Sequence, residues 1–203
     1  MSDNTESDSY RTIAAPATGV YKEKGSKFLA FAYPVSAEEE VKVRVREIKK
    51  VYFDARHHCF AYRLGAGGEL WRANDDGEPS FTAGKPILGQ LLSYNVSDTL
   101  IVVVRYFGGV KLGVSGLINA YRQAAADALT KSTIKNKYTQ EHIVIHFPYF
   151  QMNVAMKLLK ESPATITEQQ FGADCRIVLS IRRTLFPTLS AKLSQIDNLI
   201  ITR

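Results

Sequence analysis

The sequence predicts an α+β protein with two domains, and three observations lead to that prediction. The chain has 203 residues, which suits one large or two small domains. The β-branched run LIVVVRY at 100–106 is typical of a central strand buried on both faces. From about residue 138 the pattern becomes strand, helix, strand, strand, helix, strand, which is the ferredoxin-like order βαββαβ. The expected boundaries are 1–9 disordered tail, 10–130 first domain, 131–137 linker and 138–203 second domain.

Composition excludes several classes of protein. A hydrophobic fraction of 45% with 23% charged residues is typical of a globular chain. No apolar run approaches the roughly 18–20 residues that a membrane helix needs, and the start MSDNTESDSY lacks the regions of a signal peptide. We therefore expect a cytoplasmic protein with no membrane partner, in which Cys59 and Cys175 are free thiols. The net charge of +6 permits binding to a polyanion, and the oligomeric state stays open.

The first elements of the chain are a strand and a helix. The segment KFLAFAYP at 27–34 reads as a strand that ends at proline. Ser36 and Glu39 form an S-x-x-E capping box, which predicts a helix over about 37–53. Its polar face is either solvated or in contact with phosphates. The basic residues of that face are Lys42, Arg46, Lys49 and Lys50.

The middle of the first domain alternates strands with turns. HHCFAYR at 57–63 predicts a strand, and a short return strand begins at Leu70 after a glycine turn. The segment ANDDGEPSFTAG at 73–84 has the turn chemistry of an ordered loop. Thr82 is the expected cap of a helix running to about Leu92. A glycine-rich turn after the central strand leads into another helix.

The second domain follows the alternation of apolar residues. We expect strands at 142–147, 165–171, 175–181 and 199–202, with helices at 149–161 and 186–196.

A strand, glycine turn and helix in succession can present backbone N–H groups and a positive helix end to an anion. The spacing G-G-x-x-x-G-x-x-G does not match a dinucleotide fingerprint. Pro86 follows Lys85 where a P-loop needs Ser or Thr. Two interpretations stay open: the glycines allow close backbone packing, or they form a phosphate cradle assisted by Lys111.

Acid–base side chains support a second interpretation of the same domain. Asp75, Asp76 and Glu78 could serve acid–base chemistry with His57, His58 and Cys59. On a strand, His57 and Cys59 share a face and His58 points to the other. No second histidine pair or C-x-x-C accompanies them, so neither a metal nor a cofactor is predicted. The structural alternative is that the carboxylates make turn hydrogen bonds and Cys59 is buried.

Two long blocks resemble the YigZ/IMPACT family. DDGEPSFTAGKP at 75–86 and RYFGGVKLGVSGL at 105–117 match its patterns D-D-G-E-P-S-x-T-A-G-x-P and R-Y-F-G-G-x-K-L-G-x-x-G-L. The shorter blocks KGSKF at 24–28 and ARHHCFAYR at 55–63 also fit, so the resemblance covers about 18–130. Phe81 departs from the pattern, because the family usually carries glycine there. An exposed Phe81 could stack on a base.

The resemblance implies both a fold and a function. The first domain would share the fold of domain IV of elongation factor G and of domain 2 of the fifth small-subunit ribosomal protein. The second would resemble domain V of elongation factor G. We expect a non-enzymatic protein that binds RNA or the ribosome and modulates translation under stress. The alternative is a hydrolase-like enzyme of small molecules using His57, His58 and Cys59. The expected nucleic-acid-binding residues are Lys24, Lys27, Arg56, Asp75, Asp76, Glu78, Lys85, Arg105, Gly108, Gly109 and Lys111.

Overall fold

The structure, a computed structural model, describes residues 8–203. It divides into two compact units: Tyr10–Lys137, and Tyr138–Arg203 together with residues 8 and 9. Both contain strands and helices, so the chain is a mixed α and β protein. Within the described range, no helix has the length and apolar character needed to cross a membrane.

A five-stranded antiparallel sheet organises the first unit. Its strand order is β2-β3-β6-β4-β5, with the predicted β-branched strand at the centre. A separate two-stranded sheet pairs β1 with β7. The strands are β1 Ser9–Ile13, β2 Ala17–Glu23, β3 Ser26–Pro34, β4 His57–Leu64, β5 Leu70–Asn74, β6 Thr99–Tyr106 and β7 Ile134–Tyr138.

Helices cover both faces of this sheet. The helices are α1 Glu38–Val51, α2 Gly84–Ser93 and α3 Gly113–Thr130. Leu100 and Val102 of β6 pack into one core with α1, whereas Ile101 and Val103 pack into the other with α2 and α3. The central strand is therefore apolar on both faces, as its unbroken β-branched run predicts.

Two helices begin differently from the prediction. Glu40, and not Glu39, accepts the backbone N–H and the hydroxyl of Ser36, both at 2.9 Å, ahead of α1. The prediction that Thr82 caps α2 is wrong, because its hydroxyl donates to the Pro79 carbonyl at 2.7 Å. Asp75 takes that role from outside the helix: its Oδ1 accepts the N–H of Gly84 at 2.8 Å.

The second unit has the predicted ferredoxin-like arrangement. Its sheet order is β11-β8-β10-β9. Alternate residues of the two central strands, such as Ile145 and Ile177, form a core with Ala155 and Leu189 of the helices. The elements are β8 Gln140–Pro148, α4 Met152–Lys160, β9 Thr165–Gln170, β10 Asp174–Arg182, α5 Phe186–Leu193 and β11 Ile200–Thr202. Single 3-10 turns at Tyr149–Gln151 and Arg183–Leu185 precede the helices.

Two boundary predictions need correction. Of the predicted tail at 1–9, residues 1–7 lie outside the described residues. Asp8 is buried and Ser9 begins β1, because Arg182 and Thr184 bind the Asp8 carboxylate. The predicted linker 131–137 is not an open connection, since its second half lies in β7. The polar composition of β7 concealed it, because its side chains are mostly exposed.

Candidate nucleic-acid interface

A buried polar network joins the two sequence blocks. Glu78 Oε1 accepts hydrogen bonds from Arg105 Nη1 and from the hydroxyl of Tyr121, both at 2.7 Å. The side chains of the ion pair are only 3% exposed for Glu78 and 9% for Arg105. Burial raises the pKa of the Tyr121 phenol, so it remains a hydrogen-bond donor. The loop after β5, the end of β6 and the middle of α3 are thereby held together.

The DDGEPS loop is shaped by its own carboxylates. Asp75 accepts the backbone N–H groups of Phe81, Ala83 and Gly84. Asp76 has a φ of 41° and accepts the N–H of His58 at 2.7 Å and Nζ of Lys49 at 2.9 Å. Partial burial acts to raise the pKa of Asp76, but the hydrogen bonds from Lys49 and His58 outweigh it and lower the pKa.

A cleft of about 840 Å³ opens beside this network, and we call it the charged cleft. Its cationic side chains are Arg56, Arg105 and Lys111, and its acidic ones are Asp54 and Glu78. Because Glu78 is already paired with Arg105, the remaining charge is positive. The first residues of α3 also line the cleft and add the positive end of the helix. The lining residues are Asp54, Ala55, Arg56, His57, Glu78, Pro79, Arg105, Tyr106, Phe107, Lys111, Leu112, Gly113, Val114 and Leu117.

The glycine-rich turn brings two chain segments into close contact. A Cβ on Gly108 would lie 1.9 Å from the carbonyl carbon of Gly25, so only glycine fits there. The Gly108 N–H donates to Ser26 Oγ at 3.1 Å. Close backbone packing therefore accounts for Gly108, and it joins the KGSKF block to the RYFGG block.

The charged cleft collects some of the residues predicted to bind nucleic acid. Arg56, Glu78, Arg105 and Lys111 line it. The others are not part of its described lining: Lys24, Lys27, Asp75, Asp76, Lys85, Gly108 and Gly109. The loop aspartates make the turn hydrogen bonds of the structural interpretation, and Glu78 holds Arg105 in place.

The alternative catalytic set is divided among different partners. The Cys59 thiol donates to the Asp75 carbonyl at 2.9 Å, and its Sγ lies 3.3 Å from the Tyr121 hydroxyl oxygen. Burial raises the pKa of Cys59, which disfavours the nucleophilic thiolate. The ring of His58 bonds to the Tyr52 carbonyl and that of His57 to the Asp76 carbonyl, both at 2.9 Å. Among residues 8–203, no cluster of His, Cys, Asp and Glu is arranged to hold a metal ion.

Two members of the site were absent from the predicted set. Tyr121 completes the buried network, and Phe107 lines the charged cleft while more than half of its side chain is exposed. A signal existed for Tyr121, because it lies among alanines on the apolar stripe of α3. A phenol in such a stripe needs a hydrogen-bond partner.

Comparison with known proteins gives consistent matches. The family model described as Impact N-terminal domain matches residues 24–129. The IMPACT family member YigZ of Escherichia coli is 33% identical over 189 residues, which cover 92% of this chain and 93% of that protein. The IMPACT family member YvyE of Bacillus subtilis is 45% identical over 104 residues, 51% of this chain and 48% of that protein. A crystal structure described as that of a hypothetical protein superposes with a TM-score of 0.78 at 32% identity, covering 96% of each chain.

Proposed function

The chain belongs to the IMPACT family, and on that premise we propose that it is a cytoplasmic, non-enzymatic protein that binds structured RNA, free or in the ribosome, and modulates translation. The charged cleft is the observation that carries the proposal. Its cations lie beside a helix N-terminus, and that combination suits the phosphate groups of a nucleic acid.

The two exposed cations of the cleft are available for binding. Arg56 and Lys111 are solvent-exposed, and no acidic side chain in the described part of the chain forms a salt bridge with either. Contacts from such groups to phosphates release counterions, which favours association with a polyanion. Arg105 has a different role, because its ion pair with Glu78 fixes the wall of the cleft.

The shape of the cleft supports RNA over a small anion. Phe107 exposes an aromatic face beside the cations, and aromatic faces stack on unpaired bases in RNA complexes. A cleft with phosphate contacts and one stacking ring fits a folded RNA that presents both a backbone and a splayed base.

The test is binding of fluorescently labelled ribosomal RNA, followed by anisotropy. The double variant Arg56→Ala with Lys111→Ala removes two exposed cations of the cleft. We expect it to bind at least about tenfold more weakly, since charge-assisted hydrogen bonds contribute about 1.5–3 kcal/mol each. The matched control, Lys22→Ala with Lys160→Ala, removes the same charge from exposed positions outside the cleft.

The control separates a specific site from general attraction. We expect the control variant to bind within about twofold of the native protein. An equal loss of RNA affinity in both variants would show that binding depends on the overall charge of the protein and not on the cleft. A native protein that binds no RNA at low salt would contradict the proposed function.

A further inference from the structure

A second groove, lined mainly by β5 and α2, carries two exposed aromatic rings, and we call it the aromatic groove. It has a volume of about 540 Å³. Trp71 is 55% exposed and Phe81 is 60% exposed. The cation of this groove is Lys85, whose Nζ lies over the Phe81 ring. Arg72 is also part of the lining, but it pairs with Tyr62 across β4 and β5, so its side chain points to the other face of the sheet from Trp71. The full lining is Trp71, Arg72, Ala73, Asp75, Phe81, Lys85, Leu88, Gly89 and Leu92.

The backbone of Phe81 adopts a conformation that favours glycine. Its φ is +67°, in the left-handed region that bulky residues rarely occupy. The surrounding loop imposes this conformation, because the Phe81 N–H donates to Asp75 Oδ2 at 2.8 Å. A glycine would meet the same requirement without strain. The backbone conformation at this position therefore does not explain the presence of a phenyl ring.

Packing does not account for the ring either. Most of its surface is open to solvent, and Nζ of Lys85 lies 3.9 Å from the ring centroid. A cation at that distance attracts the aromatic face and also places a positive charge directly at the groove. The ring is thus held beside a cation and remains accessible to a ligand.

We propose that Trp71 and Phe81 form a stacking platform for unpaired RNA bases, with Lys85 contacting an adjoining phosphate. This inference rests on the proposed RNA-binding function and adds a second site, specific for single strands. Alternating aromatic and cationic groups are the chemistry by which proteins bind single-stranded nucleic acid.

Charge favours RNA over a protein segment as the occupant. Lys85 forms no salt bridge with an acidic side chain among residues 8–203. The acidic lining residue, Asp75, already accepts three backbone N–H groups. A polyanion therefore meets an unneutralised cation at the groove. The β5 strand forms an edge of the sheet, so an added peptide strand or a second copy of the chain is the competing occupant that the test must distinguish.

The chain provides its own reporter, because Trp71 is its single tryptophan. We expect a single-stranded oligouridylate to quench Trp71 fluorescence to saturation. A duplex RNA of the same length, in which the bases are already stacked, is expected to give little quenching. Anisotropy of labelled oligouridylate measures the total binding in parallel.

Variants of Phe81 separate stacking from folding. Phe81→Gly removes the ring and the strain together, so we expect binding to weaken at least about fivefold while Tm is not lowered. Phe81→Tyr keeps an aromatic face, so we expect binding within about twofold of the native protein. A purely structural role for the ring would instead lower Tm in Phe81→Gly and leave the affinity unchanged.

Each remaining outcome overturns the stacking platform in a recognisable way. Oligouridylate could bind without quenching Trp71 fluorescence, with an affinity that is lowered by the Arg56→Ala and Lys111→Ala pair but not by Phe81→Gly. That result would assign RNA binding to the charged cleft alone. Failure of both oligouridylate and ribosomal RNA to bind would overturn the proposed function as well. In the absence of RNA, Trp71 fluorescence could change with protein concentration in the native protein but not in Phe81→Gly. That result would assign the groove to a second copy of the chain.

Discussion

The two units of the chain bury different kinds of side chain. The core of Tyr138–Arg203 is apolar and forms between one sheet and two helices. Among the described residues, every buried polar or charged side chain except Asp8 lies in the Tyr10–Lys137 unit. Burying a polar group costs stability unless it is hydrogen-bonded. Buried polar groups that depart from simple apolar packing are expected at functional sites, so the proposed RNA binding is assigned to the first unit.

The difference between the two units is tested most severely by their Glu–Arg ion pairs, Glu78–Arg105 in the first and Glu168–Arg176 in the second. Glu78→Ala leaves Arg105 buried without its partner, and we expect the free energy of unfolding to fall by about 3–5 kcal/mol. Glu168→Ala breaks the exposed pair with Arg176 in the second unit, where we expect a loss of no more than about 1 kcal/mol. Urea denaturation measures both. Similar losses in the two variants would remove the distinction between the units.

The exception in the second unit, Asp8, provides a smaller test. Its carboxylate accepts two hydrogen bonds from Thr184 and a bidentate contact from Arg182, which is partly exposed. The hydrogen bond from Arg182 is the main cause that lowers the pKa of Asp8, against the opposing effect of burial. A carboxyl with a lowered folded pKa stabilises the fold above its unfolded pKa of about 3.9, and this stability is lost as the pH falls through the folded pKa.

We therefore expect Asp8→Asn to lower Tm at pH 7 by less than Glu78→Ala does, because Arg182 can be solvated once its partner is neutral. The difference in Tm between Asp8→Asn and the native protein is expected to shrink as the pH falls below about 4, because the unfolded chain takes up a proton at Asp8 there while the folded carboxylate remains ionised. Thermal melts from pH 7 to the acid limit of folding measure it. A difference in Tm that grows on acidification would contradict the assigned pKa direction.

The enzymatic alternative depends on the first unit's cysteine. Because burial raises the pKa of Cys59, we expect slow iodoacetamide labelling in the native protein, with a midpoint above about 8.5. The measurement uses Cys175→Ser, so that Cys59 is the single thiol. Fast labelling at neutral pH would instead support a Cys59 nucleophile.

Sequence reasoning succeeded most where structure follows local alternation. The ferredoxin-like order is confirmed, because its strands and helices have a strong apolar periodicity. The central strand Thr99–Tyr106 is confirmed as well, because its continuous apolar run indicates burial on both faces. The strands β1, β2 and β7 escaped prediction, because they are rich in polar residues and lack a continuous apolar run. The family assignment is confirmed by the family model that matches residues 24–129 and by the 33% identity to the IMPACT family member YigZ.

The site itself was only partly predictable, because its contacts are long-range. Tyr121 and Glu78 are separated by 43 positions in the chain, so no local pattern connects them. The departure at Phe81 was visible in the motif, whereas its positive φ required the structure. Residue types thus identified some of the participants, and the fold determined which of them meet.

The most direct test of the account is the salt dependence of RNA binding. A plot of log affinity against log salt concentration should be steep for the native protein, because phosphate contacts release counterions. We predict that removing Arg56 and Lys111 together reduces the slope by about two, since each lost phosphate contact reduces it by about one. An unchanged slope in the folded double variant would show that the charged cleft does not contact RNA phosphates.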